Sequence, residues 1–223
     1  MPRIARAVAP GFPHHIVQRG NNRGATFFND EDRAVYLFLL IRYSKKWNTP
    51  IICYSLMTDH VHLLAKPFSG ESLRKMMQGL TLCYTQHINR KYRRTGRLWG
   101  SRYYSCIVDH DAYLWAVARY IEQNPVRATI VENPEDYPYS SARAHFGLVQ
   151  DPLLGEELFP ESQRNDYIAF LKSSIPAEQI RNIRQNVRTG RPLGTDRFVT
   201  EIESSLGKRL IALPIGRPRK EQR

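Results

Sequence analysis

Three things are scarce in this chain. Its 3 cysteines, Cys53, Cys83 and Cys106, are scattered and odd in number. They make neither a CxxC pair nor a disulfide framework, which excludes a small secreted disulfide scaffold and fits a reducing, cytoplasmic setting. Long apolar runs are missing: none approaches the ~18 to 20 residues that span a bilayer. The first six residues, Met1-Pro2-Arg3-Ile4-Ala5-Arg6, lack the continuous apolar stretch of a secretion signal. Acidic residues are outnumbered, 21 Asp and Glu against 33 Lys and Arg, giving a net charge of +12 and a pI near 9.8. A polyanion is the expected partner. Nucleic acid fits better than a membrane surface, because no long amphipathic basic helix stands out.

What is present argues for a folded protein. Of 223 residues 42% are apolar, with 9 Phe, 12 Tyr and 3 Trp, enough for a real core in one compact domain with appendages, or two small domains at most. The positive charge is clustered. Between His87 and Tyr104 stand Arg90, Lys91, Arg93, Arg94, Arg97 and Arg102, interleaved with Tyr92, Trp99, Tyr103 and Tyr104 and with no acid among them. Such a segment can follow a phosphate backbone, and aromatic faces such as Trp99 and Tyr103 can stack on unpaired bases at roughly 1–3 kcal/mol per base. It also suits a solvated helix end whose aromatics pack inward. A second basic region follows Pro176, with 11 Lys and Arg against 5 Asp and Glu. It ends in Gly216-Arg217-Pro218-Arg219-Lys220, an extended element of the kind that can lie in an A·T-rich minor groove, or a plain charged tail.

The order of elements is alternating. Phe12 to Arg19 reads as a strand before the Gly20-Asn-Asn-Arg-Gly24 turn. Asp30 is the expected N-cap of a helix through Trp47. Ile51 to Met57 and His60 to Lys66 read as strands joined by a tight Thr58-Asp59 link, the second stopped by Pro67. A long helix runs from Ser69 or Gly70 to about Lys91, Tyr103 to Val108 reads as a fourth strand, and Asp109 caps a helix to about Asn124. The order β-α-β-β-α-β plus a helix predicts an α+β fold: a ferredoxin-like, split β-α-β antiparallel sheet with helices on one face and a helical, basic C-terminal extension. The expected divisions are residues 1–132 as the main domain, 133–175 as a helical and loop extension packed on it, and 176–223 as basic C-terminal helices and tail.

The chemistry concentrates in two places. His60-Val61-His62 puts two imidazoles at i and i+2 on a strand, so both face one way and together can hold one divalent cation, or simply hydrogen-bond on a half-buried strand. Tyr120 and Asn124, four apart, share one face of the last helix. An Asn124 amide oxygen could complete a cation site with the Tyr120 hydroxyl close by, although Pro125 disfavours helical geometry at Asn124. Arg19, Asn22 and Arg23 form a candidate base-contacting turn, which turn chemistry and surface charge explain equally well.

Asn21-Asn22-Arg23, the run Met57-Thr-Asp-His-Val-His-Leu-Leu64, the run Arg119-Tyr-Ile-Glu-Gln-Asn-Pro-Val-Arg-Ala128 and Ser140-Ser141 together resemble the REP-associated tyrosine transposases. These belong to the single-tyrosine, histidine-hydrophobe-histidine (HUH) transposases of bacteria. The resemblance covers residues 12–141, and the tail from Arg191 is similar as well. Two positions depart from it: many relatives have Asn where Asp59 stands, and the wider superfamily often has Gln where Asn124 stands. The resemblance implies a metal-dependent single-stranded DNA endonuclease and strand transferase. Tyr120, on a catalytic helix after the fourth strand, would be the nucleophile that forms a 5′-phosphotyrosine. His60, His62 and Asn124 would bind Mg²⁺ or Mn²⁺. The partner would be a REP-type DNA hairpin with a flanking guide sequence, contacted by the residues of the basic cluster, the turn and the tail (Arg217, Arg219, Lys220). Relatives that exchange tyrosine helices are dimers; the C-terminal segment could cover that surface here, so a monomer is expected, with a dimer as the alternative. A cytoplasmic, nucleoid-associated protein follows. Two other readings stand beside it, a non-catalytic hairpin-binding regulator and an RNA-binding ferredoxin-like module.

Overall fold

The computed structural model describes residues 7–110 and 112–210. Four strands, β1 (His14–Arg19), β2 (Ile51–Leu56), β3 (His60–Ala65) and β4 (Tyr104–Ile107), form one antiparallel sheet in the order β2-β3-β1-β4. With α1 (Asp30–Lys46) after β1 and α2 (Ser72–Lys91) after β3, the chain takes the expected ferredoxin-like course. Side chains alternate across the sheet. Ile16, Val61 and Leu63 meet Tyr36, Leu40, Met76, Leu80 and Tyr84 of α1 and α2 on one face. Leu64 and Cys106 point the other way.

That second face is covered by later elements. Helix α3 (Leu114–Glu122) lies on it through Leu114, Val117 and Ile121. A short turn of helix, α4 (Asn124–Arg127), and α5 (Ala142–His145) follow; then α6 (Arg164–Lys172) and α7 (Ala177–Thr189) add Tyr167, Leu171, Ile183 and Val187 to the same apolar cluster. The last helix, α8 (Asp196–Leu206), packs Phe198 and Ile202 against Ala7, Ala9 and Ile107. No helix of the described residues is long and apolar enough to cross a membrane.

Several local expectations need correction. The N-cap of α1 is Asn29, not Asp30: Asn29 Oδ1 accepts from the Asp32 backbone N–H at 3.0 Å and Asp32 Oδ2 accepts from that of Asn29 at 3.3 Å, a reciprocal capping box. Helix α3 starts at Leu114 rather than after Asp109, whose carboxylate accepts instead from the backbone N–H groups of Ala112 and Thr195, tying the start of this segment to that of α8. The helix also breaks at Gln123, because Pro125 has no N–H to donate and constrains the residue before it.

The aromatics of the basic cluster are core residues. Trp99 is 8% exposed and Tyr103 5%, both within the α1/α2 core, with the Trp99 ring 6.2 Å from Tyr36 and 6.1 Å from Tyr84. A β-bridge between Gly20 and Trp99 draws this segment onto the end of β1, so neither ring is free to stack on a base. Lys91 is likewise committed. Its ammonium donates to Asp32 Oδ1 at 2.8 Å and to Glu31 Oε2 at 2.7 Å, and Tyr92 Oη donates to Asp32 Oδ2 at 2.9 Å. Asp32 is fully buried, and a buried carboxylate left without these donors would be strongly destabilising.

Candidate active site

The face of β3 turned away from α1 and α2 carries His60 and His62, adjacent by the two-residue period, with ring centroids 5.0 Å apart. Each ring is held by its Nδ1. His60 Nδ1–H donates to Asp59 Oδ1 at 2.6 Å, so this departure from the resemblance supplies the acceptor that orients the ring. His62 Nδ1 lies 2.9 Å from His15 Nε2, a fully buried partner one strand away on β1. Burial lowers the pKa of both His60 and His62, the former against the opposing pull of Asp59, and pushes His15 down to about 3. All three rings are therefore neutral at pH 7, and the Nε2 atoms of His60 and His62 lie outside these two contacts.

Helix α3 delivers the tyrosine. The Tyr120 ring stands edge-on to His62 at 5.7 Å and to His15 at 5.8 Å. Two guanidinium groups attend it: Arg184 Nε of α7 donates to the Tyr120 hydroxyl at 3.3 Å, and Arg127 of α4 lies 4.3 Å from the ring centroid. On the opposite side of α3, two residues on and so about 200° around the helix, Glu122 is fully buried. It accepts from Ser141 Oγ at 2.5 Å, His145 Nδ1 at 2.7 Å and Tyr167 Oη at 2.8 Å. This network pins the rotation of α3, which keeps Tyr120 turned towards the histidines.

These groups open onto a cleft of about 890 Å³. Its lining brings together His60, His62, Tyr120 and Asn124, and beside them Arg19, Asn22 and Arg23 of the turn. It adds Arg127, Arg184 and Arg188, and no Asp or Glu of the described residues lines it. A cleft with five guanidinium groups and no carboxylate among the described residues is built for an anion. The turn is tightly folded: Asn22 and Arg23 adopt left-handed backbone conformations (φ 51° and 57°), and a Cβ on Gly20 would sit 2.1 Å from the Gly24 carbonyl oxygen. Gly20 N–H donates to the Asp59 carbonyl at 2.7 Å and Asn21 N–H to that of Leu98 at 2.9 Å, fixing the turn beside the histidine strand.

Other expected residues lie elsewhere. Arg90, Arg93, Arg97 and Arg102 are exposed but do not line the cleft, and Arg94 lies 5.3 Å from the Phe28 ring centroid. Arg217, Arg219 and Lys220 fall outside the described residues. The sequence reading missed His15, Arg127, Arg184 and Arg188. Signals existed for each: His15 alternates with Val17 on one strand face, Arg127 follows Asn124 by three, and Arg181, Arg184 and Arg188 make a basic stripe at helical spacing.

The donor set fits a divalent cation in an open, catalytic type of site. It offers two neutral imidazoles and the Asn124 amide oxygen, and leaves the remaining positions for phosphate oxygens. Asn124 Nδ2 donates to the carbonyls of Tyr120 and Ile121 at 3.2 and 3.3 Å. Its Oδ1 accepts from Arg127 at 2.7 Å and keeps a second lone pair. Among the described residues no group of three or more His, Cys, Asp and Glu is arranged to hold a metal, so any such site depends on the amide and the substrate.

The chain is similar to known proteins in both sequence and fold. A Haemophilus influenzae protein assigned as a REP-associated tyrosine transposase is 28% identical over 137 residues, 56% of this chain and 75% of that one. A solved REP-associated tyrosine transposase bound to a REP hairpin superposes with a TM-score of 0.57 at 16% identity, covering 73% of this chain and 96% of that one, which shows a shared fold. The profile of the family described as "Transposase IS200 like" matches residues 11–124, from the turn before β1 to the Asn124 kink. That span is just over half of the sequence and holds both histidines and the tyrosine, and the chain accordingly belongs to the IS200-like transposases, enzymes that cut and rejoin DNA.

Proposed function

We propose that the chain binds REP-type palindromic DNA folded as a hairpin and cuts the adjoining single strand through Tyr120. The observation that carries this reading is the position of the Tyr120 ring, edge-on to His62 in a cleft lined by arginines and by no carboxylate of the described residues. The likeness to a transposase bound to a REP hairpin supports the choice of DNA.

In the proposed reaction the Tyr120 oxygen attacks a backbone phosphorus and the 3′ oxygen leaves as a hydroxyl. The 5′ side stays joined to the enzyme as a phosphotyrosine. That linkage is itself a phosphodiester, so a 3′ hydroxyl can reverse the step and join a new strand. A phenol of pKa about 10 is a poor nucleophile while neutral. Arg184 Nε–H stabilises the charge that develops on the phenol oxygen, and Arg127 and Arg188 hold the neighbouring phosphates. His60, His62 and Asn124 would hold Mg²⁺ or Mn²⁺, which when bound polarises a non-bridging phosphate oxygen; the imidazole ligands favour Mn²⁺. Arg19, Asn22 and Arg23 would contact the single strand, and exposed Arg90, Arg93, Arg97 and Arg102 the stem. Because α7 of the same chain reaches Tyr120, we read the active unit as a monomer.

The test is a denaturing gel of purified protein with a labelled single-stranded palindromic repeat and Mn²⁺. Wild type should give a labelled protein band that survives denaturation. Tyr120→Phe should lose the band and still bind the hairpin. Tight binding with neither adduct nor cut product would make the chain a hairpin-binding regulator instead.

A further inference from the structure

The mechanism so far leaves one buried group at the site without a task. His15 is fully buried on β1 and makes a ring-to-ring hydrogen bond of 2.9 Å to His62 Nδ1, the two rings lying side by side and nearly coplanar, with centroids 5.2 Å apart and planes 23° apart. Its other nitrogen, Nδ1, is buried with no hydrogen-bond partner among the described residues. Burial of an unpaired imidazole nitrogen carries a free-energy cost that a hydrocarbon of the same shape would avoid. An aliphatic or phenyl side chain would fill the same space between Leu64 and Cys106 of the flanking strands.

One proton sits between the two rings, and where it sits decides what His62 offers to the cleft. If His15 Nε2–H is the donor, His62 must carry its own proton on Nε2, and that atom has no lone pair for a cation. If His62 Nδ1–H is the donor, its Nε2 lone pair is free, and His15 carries its proton on Nδ1, the orphaned position. Both rings stay neutral in either arrangement, so the choice is between tautomers rather than charges. Metal-ligating histidines ordinarily give their second N–H to a carboxylate or carbonyl, which fixes the tautomer once and for all. His60 follows that rule with Asp59. His62 has instead a partner that can donate or accept.

We infer that His15 is a positioning residue for the cation site: its Nε2 accepts the His62 Nδ1 proton and so turns the His62 Nε2 lone pair into the cleft. The inference rests on the cation site proposed above. It makes the two histidines unequal, with His60 permanently set as a ligand and His62 set only when His15 takes the accepting tautomer. In that tautomer the orphaned His15 Nδ1 carries the proton, and the fold bears this cost to keep the His62 Nε2 lone pair available.

Two measurements test this on the full-length protein. Mn²⁺ binding is read from loss of the free-ion EPR signal for wild type, His15→Phe, His15→Gln and His62→Ala. Removing the acceptor in His15→Phe should weaken Mn²⁺ binding by about 10- to 100-fold, the range seen when outer partners of ligating histidines are lost. His15→Gln, whose amide oxygen can accept the same proton, should recover most of it. Long-range ¹H–¹⁵N spectra of histidine-labelled wild type should show both His62 and His15 protonated on Nδ1 with saturating Mg²⁺, a signature that a packing role would not produce and that needs no variant to fold. Unweakened Mn²⁺ binding by folded His15→Phe, or a His62 ring that keeps Nε2–H with Mg²⁺ bound, overturns the role of His15. Wild type that binds Mn²⁺ no better than His62→Ala removes the cation site itself, and the inference with it.

Discussion

Arg184 Nε and the Tyr120 hydroxyl lie 3.3 Å apart, although 64 residues separate them in the chain. The contact joins the first C-terminal basic helix to the helix that follows the sheet, and it places a fixed positive charge beside the oxygen expected to attack DNA. A hydrogen bond from a charged donor is worth about 1.5–3 kcal/mol. Arg184→Ala should therefore slow single-turnover cleavage by about 10- to 100-fold, with Arg184→Lys in between and hairpin affinity changed far less. A single-turnover rate equal to wild type would leave Arg184 as a rim charge only.

Trp99 and its exposed neighbours separate packing from DNA contact within one segment. Trp99→Ala should cost about 3–5 kcal/mol of stability in urea unfolding, as for other large core truncations. Arg97→Ala and Arg102→Ala should leave stability nearly unchanged. If those side chains meet phosphates, each should reduce the slope of log affinity against log salt by about 0.7–0.9.

Glu122 is enclosed by three side chains from later parts of the chain. Glu122→Ala leaves Ser141, His145 and Tyr167 without their shared acceptor, and breaking a buried pair of this kind costs about 3–5 kcal/mol. Because the same network sets the rotation of α3, adduct formation by Tyr120 should fall as well, even at temperatures where the variant remains folded by circular dichroism. A destabilised variant with wild-type adduct yield would show that α3 is oriented by its apolar face alone.

His14 links stability to acid. Burial pushes its pKa down from 6.5 to about 4, while its Nδ1–H donates to the Phe12 carbonyl and its Nε2 accepts from the Ala9 N–H. Below pH 6.5 the unfolded chain takes up a proton at this position that the folded chain refuses until about pH 4. Stability is thus full above pH 6.5 and falls as the pH drops through this window. The loss attributable to His14 should reach about 3 kcal/mol by pH 4. Urea unfolding of wild type and His14→Gln between pH 7 and 4 checks it, the variant being expected to show the shallower pH dependence.

Local pattern carried much of this protein. The strand and helix order was legible because each element is set by neighbours in sequence: the two-residue alternation of β3, the 3.6-residue periodicity of α1 and α2, and the breaks at Pro50, Pro67 and Pro125. The pairing of His60 with His62, and their grouping with Tyr120 and Asn124, followed from the same short-range spacing together with a family resemblance. The net charge of +12 already pointed to a polyanion.

Whatever depends on contacts between distant parts of the chain was decided by the tertiary structure. The 87–104 segment reads as a mixed basic and aromatic surface. Only the bridge from Gly20 to Trp99 determines that Trp99 and Tyr103 turn inward and that the exposed arginines remain outside. Lys91 and Asp32 attract across 59 residues, a pairing that no spacing encodes. His15 meets His62 because β1 lies beside β3 in the sheet, and Arg184 meets Tyr120 because α7 packs over the same face as α3. Sequence fixes which chemical groups are available and which face of their own element they occupy, since that is local geometry. Which of them share a cleft depends on how whole elements dock, and docking is driven by apolar burial that carries no record of which polar groups it will bring together.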